Sequence, residues 1–436
     1  MSAQKAASGV GRTPSYTDAV ARLERSLAFG IHPSLDGIGA LTRALGQPQD
    51  AFRSIQVTGT NGKTSVTRIT AAILAAHGQH TGACTSPHLI SYTERVEIDG
   101  APASEPEFAQ ALDAAFAAAG EDELTEFELL TAAALWLMRE RGVDWACLEV
   151  GMGGRWDATS VVSPAVSVIT GVALDHTERL GATRELIAAD KAHIIKPGSV
   201  AVLGPGCAGV EDIFLQRALA VGVATLHVGQ AEDDVTWRVV ERPSRPGGAL
   251  RLDVDGSLGR YPDLALRAPS YQAPNVATAV AAVEAALGRA LDPAALQAAL
   301  SALTFPGRFE LLTEDPPLVI DGAHNPEAAG VLAAAIAEAF GDTPPAIVLA
   351  VLADKDIAGI VAALAPVAGA FIASENTSPR CAPAADIARI IARVSGREPI
   401  VEPSLGTAIS RARALGGDTI VTGSLYTAGL ARALFA

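Results

Sequence analysis

The fold is decided by the stretch Ile55-Gln-Val-Thr-Gly-Thr-Asn-Gly-Lys-Thr64 of this 436-residue sequence. The aliphatic run at Ser54–Thr58 predicts a strand, and the amphipathic stretch Lys63–Gly78 after the loop predicts a helix. Gly59 and Gly62 allow backbone N–H groups to turn toward an anion, and the helix adds its N-terminal dipole. The stretch therefore predicts a nucleotide phosphate site between a strand and a helix.

Two side chains at the start of that helix extend the prediction. Lys63 can reach the β- and γ-phosphates, and the Thr64 hydroxyl can ligate Mg²⁺. The pattern departs from the general GxxxxGK[ST] motif, because Val57 occupies the place of the first glycine. A bare GxxGKT can also be a helix cap, but the strand before it and the helix after it favour the nucleotide site.

The sequence around the loop alternates short aliphatic runs with Ala-rich amphipathic stretches. Strands are predicted at Val143–Val150, Ala165–Thr170 and Ser199–Leu203. Strands separated by helix-length segments indicate βαβ units in a mainly parallel sheet. Between about Asp234 and Leu266 polar and apolar residues alternate, which predicts a short antiparallel meander attached to that sheet.

The alternation restarts after Arg308 and predicts a second domain. Its five strands are expected at Leu318–Asp321, Ala346–Val351, Ala370–Ser374, Pro399–Val401 and Thr419–Thr422. The predicted fold class is α/β: a P-loop domain with a mainly parallel sheet and a small antiparallel β addition, followed by a smaller doubly wound Rossmann-like domain. The predicted division is a flexible tail at 1–15, a P-loop nucleotide-binding domain at 16–304, a hinge at 305–312 and the Rossmann-like domain at 313–436.

Composition excludes several classes of partner. The chain has 33 Lys and Arg against 48 Asp and Glu, a net charge of −15, which argues against nucleic acids and acidic membranes. Apolar runs such as Ala346–Ala353 are far shorter than the roughly 20 residues that span a bilayer. Met1–Ser15 lacks an apolar core and predicts a tail rather than a signal peptide. Four widely spaced cysteines indicate reduced thiols in a cytoplasmic protein.

Acidic residues at predicted strand ends are the candidate metal ligands. Glu149 closes the strand Val143–Val150 and is followed by the glycine-rich segment Gly151–Asp157, whose glycines are expected to allow close backbone approach to a ligand. Asp175-His176 follows the next strand. A carboxylate beside a P-loop suits Mg²⁺. Glu149 and His176 also have simpler interpretations. An acid at a strand end is commonly a solvated cap, and a lone histidine is commonly structural.

Together these residues resemble the Mur-ligase superfamily of ATP-dependent amide-forming enzymes, and within it the folylpolyglutamate synthase/dihydrofolate synthase branch. The superfamily resemblance is carried by Gly59–Thr64, Glu149, Asp175-His176, Lys191, Arg308 and Asp321-Gly-Ala-His-Asn-Pro326. The branch resemblance is carried by Thr85-Ser-Pro-His-Leu89, Glu94–Gly100, Phe127-Glu128, Leu148–Ala158 and Gly423-Ser-Leu-Tyr426.

The resemblance implies ATP and Mg²⁺, with two metal ions, as cofactors. The implied nucleotide-binding residues are Gly59, Asn61, Gly62, Lys63, Thr64, Asn275, Arg308 and Asp321. The implied metal ligands are Thr64, Ser86, Glu149 and His176, and the implied catalytic residues are Lys63, Lys191 and His176. Lys191 matches the family lysine that CO₂ carbamylates, which converts a cation into an anion that helps to hold a second metal. Arg308 has the alternative of pairing with Glu310, and Asn275 that of capping its helix.

The resemblance also implies two substrate regions, which make residues 16–304 an ATP- and folate-binding domain and residues 313–436 a glutamate-ligase domain. The pterin pocket is expected at Phe127, Trp156, Asp157 and Ala158, with Ile38 from the weakly similar segment 35–39. The glutamate cleft is expected at His324, Asp354 and Arg380. Without the resemblance, Phe127 and Trp156 read as core residues. Three positions depart from the family pattern: Ser160 replaces a usual Asn, His193 a usual Gly, and Tyr271 a common His.

The implied activity is a two-step ligation. The γ-phosphoryl of ATP passes to a folate carboxylate, and the amine of L-glutamate then displaces phosphate. The acceptor is tetrahydrofolate, dihydropteroate or both, and a monomer with small-molecule substrates is expected. Two alternatives are a Mur-type ligase acting on a muramyl-peptide precursor and a non-catalytic nucleotide-binding switch. The Thr85–Leu89 block and the short N-terminus argue against the first. Retention of Lys63, Glu149, His176 and Lys191 argues against the second.

Overall fold

The computed structural model describes residues 15–26, 33–120 and 122–435. The tail predicted at 1–15 lies outside the described residues, apart from Ser15. Across these ranges, no helix combines the length and the apolar character needed to cross a membrane.

The first domain is built on a large sheet, which in the described chain has 11 strands in the order β11-β10-β9-β8-β7-β6-β1-β5-β2-β3-β4. The strands are β1 (Arg53–Thr58), β2 (Thr81–Cys84), β3 (Val96–Ile98), β4 (Ala101–Pro102), β5 (Trp145–Glu149), β6 (Val166–Gly171), β7 (Val200–Gly206), β8 (Thr225–Gly229), β9 (Val235–Glu241), β10 (Ala249–Asp255) and β11 (Arg260–Arg267). Strands β1, β2 and β5 to β9 pair in parallel, whereas β3–β4 and the β9–β10–β11 meander are antiparallel.

Helices cover both faces of this sheet, as the βαβ alternation predicts. They are α1 (Tyr16–Arg25), α2 (Asp36–Ala44), α3 (Lys63–Ala76), α4 (Glu105–Ala119), α5 (Glu126–Glu140), α6 (Thr177–Leu180), α7 (Arg184–Lys191), α8 (Glu211–Val221), α9 (Ala273–Leu287) and α10 (Pro293–Ala302). Capping boxes start α4 at Ser104 with Glu107, and α5 at Thr125 with Glu128.

The second domain carries a smaller sheet, with six strands in the described chain in the order β12-β13-β17-β14-β15-β16. The strands are β12 (Glu310–Glu314), β13 (Pro317–Ile320), β14 (Ala346–Leu349), β15 (Ala370–Ala373), β16 (Ile400–Val401) and β17 (Thr419–Thr422). The helices are α11 (Pro326–Phe340), α12 (Ile357–Leu364), α13 (Ala384–Ser395), α14 (Leu405–Ala414) and α15 (Leu425–Phe435). Strand β12 is antiparallel to its neighbour β13, and the other described strands of this sheet pair in parallel.

The order of the central strands gathers the candidate site. Strand β1 lies between β5 and β6, with Val57 in register with both Glu149 and Val168. Because all three strands are parallel, their carboxyl ends meet at one edge of the sheet. The glycine loop after β1, Glu149 at the end of β5 and the Asp175-His176 segment after β6 therefore lie at the same edge.

The predicted α/β architecture of two domains is confirmed, including the antiparallel meander. The prediction of five strands in the second domain is wrong, because β12 adds a sixth within the described residues. This strand begins at Glu310, inside the segment predicted as a hinge. Its residues are mostly half-buried and mix polar with apolar side chains, so they lack the aliphatic run that marked the other strands.

Candidate active site

The two domains face each other across a cavity of about 410 Å³. The first domain contributes the glycine loop, Ser86, Glu149, Asp175, His176 and Lys191, and the second contributes Asp321, His324 and the first turns of α11. Arg308, in the segment that joins α10 to β12, also lines the cavity. Most of the residues predicted to bind nucleotide and metal are thus brought together at one place.

The two glycines of the loop are required by its geometry. Gly59 has a φ of 153° and Gly62 a φ of 83°, which favour glycine. A side chain at Gly62 would bring its Cβ to 2.8 Å from Asn275 Oδ1. Gly62 is also the N-cap of α3 and offers no side chain to cap the helix. The first turn of α3 therefore keeps backbone N–H groups for an anionic ligand.

Glu149 joins the glycine loop to the segment that follows β2. One carboxylate oxygen accepts a hydrogen bond from Thr64 Oγ1 at 3.0 Å, and the other accepts one from Ser86 N at 3.0 Å. The side chain is buried, not a solvated cap. Burial raises the pKa of Glu149 above its ordinary value, although the nearby Lys63 charge acts in the opposite direction. The carboxylate therefore favours a cationic partner in the cavity.

The donor set around Glu149 fits a hard divalent cation. Thr64 and Ser86 offer hydroxyl oxygens, Glu149 offers a carboxylate, and His176 lines the same cavity. Oxygen-rich ligands of this kind suit Mg²⁺, which also retains several waters. In the described part of the chain, no group of three or more His, Cys, Asp and Glu residues is placed to hold a metal by itself. A metal here would depend on the hydroxyls and on the nucleotide phosphates.

Asp175 connects the two domains at the mouth of the cavity. Its carboxylate accepts a hydrogen bond from Lys355 Nζ at 2.9 Å, and His324 Nε2 lies 3.5 Å away. Burial acts to raise the pKa of Asp175, but His324, His176 and Lys355 outweigh it and hold the pKa well below the ordinary value. The neighbouring His176 is exposed with a φ of 52°, so it is not a core histidine.

Lys191 lies beneath the glycine loop at the end of α7. Its Nζ donates a hydrogen bond to Gly59 O at 2.9 Å, and the side chain is 3% exposed. Burial, with a further contribution from Lys63, lowers the pKa of Lys191 to about 7. A substantial fraction of this amine is therefore neutral near pH 7, which is the form that reacts with CO₂.

The structure bears on the two alternatives raised above, that Arg308 pairs with Glu310 and that Asn275 caps its helix. Glu310 pairs with Arg432 at 3.3 Å and accepts a hydrogen bond from Gly307 N, so it is not the described partner of Arg308. Asn275 lies inside the first turn of α9, whose N-cap is Gln272. Its Nδ2 donates to Gln272 Oε1 at 2.7 Å.

Asp321 and Tyr271 stand together on that side. Asp321 accepts hydrogen bonds from Phe309 N and Ala323 N, both at 2.8 Å. Burial raises the pKa of Asp321, against the charge of Arg308. Tyr271, the position that departs from the family histidine, lines the cavity and packs against the core of the second domain.

The residues predicted for the pterin pocket do not all lie in one place: some converge beside Gly151, one is exposed and two are buried in the core. A Cβ added at Gly151 would meet Phe127 at 2.7 Å and Asp157 Oδ2 at 3.3 Å, so these two side chains converge. Trp156 is 43% exposed, and the Arg155 guanidinium lies 4.6 Å from its ring, so Trp156 is not a core residue. Ala158 and Ile38 are buried in the core beside α5.

Of the three residues predicted for the glutamate cleft, one lines the cavity and two lie outside it. His324 lines the cavity, and its Nδ1 donates to Gly322 O at 2.9 Å. Asp354 and Arg380 form a largely exposed ion pair at 2.8 Å and do not line the cavity. Lys355, whose Nζ contacts Asp175, was not among the residues predicted from the sequence, although it directly follows Asp354.

Two other departures from the family pattern have structural partners. Ser160 Oγ donates to Gly154 O at 2.6 Å and accepts from Gln56 Nε2 at 3.0 Å. His193 Nδ1 donates to Ala189 O at 2.9 Å, back along its own helix. Ser160 therefore supports the loop before it.

Two family models match the chain. The Mur ligase middle domain matches residues 57–204, and the Mur ligase glutamate ligase domain matches residues 307–424. The first match begins in β1 and covers the glycine loop, Glu149, His176 and Lys191. The second begins just before β12 and covers all six described strands of the smaller sheet.

Individual relatives agree along nearly the whole chain. A dihydrofolate synthase/folylpolyglutamate synthase of Mycobacterium tuberculosis is 36% identical, covering 98% of this chain and 96% of the relative. A crystal structure of the M. tuberculosis folylpolyglutamate synthase complexed with ADP and AMPPCP has a TM-score of 0.89 at 36% identity, covering 97% of this chain and 99% of that one. The E. coli FolC complex with DHPP and ADP has a TM-score of 0.86 at 29% identity, covering 96% and 97%. This chain belongs to the dihydrofolate synthase/folylpolyglutamate synthase family of Mur ligases.

Proposed function

We propose that this chain is an ATP-dependent ligase that adds L-glutamate to a folate through an acyl-phosphate intermediate. The observation that carries the proposal is the cavity between the domains, which faces Lys63 and Glu149 of one domain toward Asp321 and His324 of the other. A ligation of three substrates requires such a shared chamber, because the nucleotide and both reacting partners must meet in it.

In the first step a carboxylate oxygen of the folate attacks the γ-phosphorus of ATP, the bond to ADP breaks, and an acyl phosphate forms. The glycine loop and Lys63 hold the phosphates, because phosphoryl transfer depends mainly on positioning and charge neutralisation. Thr64, Ser86, Glu149 and His176 would hold Mg²⁺. When bound, Mg²⁺ neutralises charge that develops on the phosphate oxygens.

In the second step the amine nitrogen of L-glutamate attacks the acyl carbon, phosphate leaves, and the nitrogen loses a proton. His324 lines the cavity on the side of the second domain and is the proposed contact for the incoming glutamate. The acyl phosphate must be kept from water during this step. The contact of Lys355 with Asp175 holds the domains together across the mouth and supports that role.

Lys191 is proposed to be carbamylated by CO₂ in the active enzyme. The neutral amine attacks the carbon of CO₂ and loses a proton, which leaves an anionic carbamate. Burial and a pKa of about 7 favour this reaction, because they supply a neutral amine at physiological pH. The resulting anion would face the Lys63 charge and provide a ligand for a second Mg²⁺.

The folate is proposed to bind along the loop that follows β5. Phe127 and Asp157 converge beside Gly151, which itself lines the cavity. An aromatic ring and a carboxylate suit a flat heterocycle with hydrogen-bond donors. Trp156 is exposed on the same loop and is available to a ligand. We retain the two-domain division proposed from the sequence but move the start of the second domain from residue 313 to the beginning of β12 at Glu310.

A competition experiment tests the proposal. The chain is incubated with ATP, Mg²⁺, L-glutamate and equal amounts of dihydropteroate and tetrahydrofolate, and the products are separated by mass spectrometry. Addition of one glutamate to either acceptor supports the proposal, and the ratio of products assigns the preferred acceptor. Absence of both products overturns the proposal, and ATP binding without turnover favours the non-catalytic nucleotide-binding switch.

A further inference from the structure

Asp190, the residue before Lys191 in α7, holds the backbone of the loop after β5. Its Oδ1 accepts a hydrogen bond from Gly154 N at 2.8 Å and a second from Arg155 N at 3.3 Å. Hydrogen bonds to an ionised acceptor are stronger than those between neutral groups. Nothing in the mechanism above uses Asp190, so this pair of bonds needs a separate account.

The two glycines of the loop are explained by contact with the same helix. Gly153 has a φ of 68°, and a side chain there would overlap Asp190 Oδ1. A Cβ on Gly154 would lie 2.9 Å from Lys191 O and 3.1 Å from Asp190 O. The glycine pair therefore lets the loop lie directly on the Asp190–Lys191 peptide, at a distance that no side chain allows.

Two further hydrogen bonds fix the carbonyl oxygens of these two glycines. Thr58 Oγ1 donates to Gly153 O at 2.6 Å, and Ser160 Oγ donates to Gly154 O at 2.6 Å. Thr58 is the last residue of β1, immediately before the glycine loop. The loop after β5 is thus held from one side by hydroxyl donors and from the other by the carboxylate of Asp190.

The next residue along α7 bonds to the nucleotide side of the site. Lys191 Nζ donates to Gly59 O, whereas Asp190 bonds to the loop that carries Trp156 and Asp157. Two adjacent side chains therefore fix the phosphate loop and the proposed folate loop relative to each other. Asp190 is half-buried and is absent from the residues that line the cavity.

We infer that Asp190 is a positioning residue for the folate acceptor, which acts by holding the loop 151–157 at a fixed distance from the phosphate site. The inference rests on the proposed function, since it assigns the acceptor to that loop. Asp190 itself touches no substrate. Removal of the Asp190 carboxylate should weaken binding of the folate. It should leave the nucleotide site in place, because Lys191 keeps its own hydrogen bond to Gly59.

Steady-state kinetics of three variants test the inference. Asp190→Ala removes the carboxylate that accepts the hydrogen bonds, and Asp190→Asn keeps a neutral hydrogen-bond acceptor of the same size. Glu185→Ala is the matched control, because Glu185 is an exposed acid in the first turn of the same helix. We expect Asp190→Ala to raise KM for the folate about tenfold, the effect of one lost charge-assisted hydrogen bond, and to change KM for ATP less than about twofold. Asp190→Asn should be intermediate, and Glu185→Ala should match the wild type.

Hydrogen exchange supplies a second measurement that does not depend on turnover. Amides of the peptide spanning 151–157 should exchange faster in Asp190→Ala than in the wild type or in Glu185→Ala. Faster exchange together with the selective rise in folate KM supports the inference. A lower melting temperature with both KM values unchanged, or an equal rise in both, overturns it. If the wild type does not use folate at all, the proposed function fails, and unchanged exchange at 151–157 would still overturn the positioning role separately.

Discussion

Lys355 Nζ of the second domain lies 2.9 Å from Asp175 Oδ1 of the first, across the mouth of the cavity. Both side chains are largely buried, with 13% and 11% of their surfaces exposed. A buried ion pair is costly to break from one side, because the remaining charge loses its partner. This contact therefore favours the arrangement in which the two domains enclose the substrates.

Lys355→Met should open the enzyme. We expect turnover in the presence of folate and L-glutamate to fall about tenfold or more, because the acyl phosphate is less protected and the domains close less often. Lys355→Arg, which keeps the charge, should retain more activity. Small-angle X-ray scattering of the nucleotide complex should show a larger radius of gyration for Lys355→Met. An unchanged turnover and radius would mean that the pair does not govern closure.

Glu149→Gln should reduce catalytic activity strongly while changing the stability of the fold little. The carboxylate is buried and its pKa is raised, so its charge adds little to the stability of the free protein. We expect the free energy of unfolding to change by less than about 1 kcal/mol, whereas phosphate release should fall about 100-fold or more with loss of the metal site. Denaturant unfolding and a phosphate assay measure the two effects. Glu105→Gln, at an exposed position in α4, is the control for loss of a negative charge.

A variant that keeps more than half of the phosphate release at low Mg²⁺ would contradict the assignment of Glu149. A variant that unfolds would leave the metal role to be measured through Ser86→Ala, which removes only a hydroxyl.

Carbamylation of Lys191 should depend on pH. With a pKa of about 7, the amine is mostly protonated and unreactive below pH 7 and mostly neutral above it. At a fixed concentration of dissolved ¹³CO₂, the carbamate signal in ¹³C NMR should therefore grow as the pH rises from about 6 to about 8. The signal should be missing from Lys191→Ala. A signal of equal size in both proteins would place the carbamate elsewhere.

Two glycine substitutions should act in opposite directions. Gly330 lies in α11 with open space where a side chain would stand, so Gly330→Ala should raise the free energy of unfolding by about 0.5–1 kcal/mol. Gly154→Ala should lower it by about 1–3 kcal/mol, because its Cβ would press on the backbone of Lys191. Thermal unfolding of both variants measures this. Equal effects would contradict the close approach of the loop to α7.

The sequence predicted the parts of the fold that carry a strong local pattern. The strand, glycine loop and helix around Lys63 lie where the spacing placed them, and the second-domain strands at 346–349 and 419–422 follow aliphatic runs. The short strands β3 and β4, which end the larger sheet on one side, were missed, because two or three residues give no periodicity. Strand β12 was missed because its half-buried residues mix leucine with polar side chains.

The candidate site was predictable only in part. Lys63, Glu149 and Lys191 stand in motifs, so their chemistry could be read from the chain. Lys355 and Asp190 have no pattern of their own, because their partners lie 180 and 36 residues away in sequence. The predicted role of Gly153 and Gly154 in approaching a ligand is only partly matched, since their close contacts are with α7. The monomeric state stays a prediction.

Measurement of phosphate release with each substrate omitted in turn tests the proposed ligation. We expect the wild type to release phosphate only when ATP, tetrahydrofolate or dihydropteroate, and L-glutamate are all present. We also expect Lys63→Ala to reduce this release to background, because the phosphates lose the cation that positions them. Release that is independent of folate and glutamate, or near-normal turnover of Lys63→Ala, would contradict the proposed ligation.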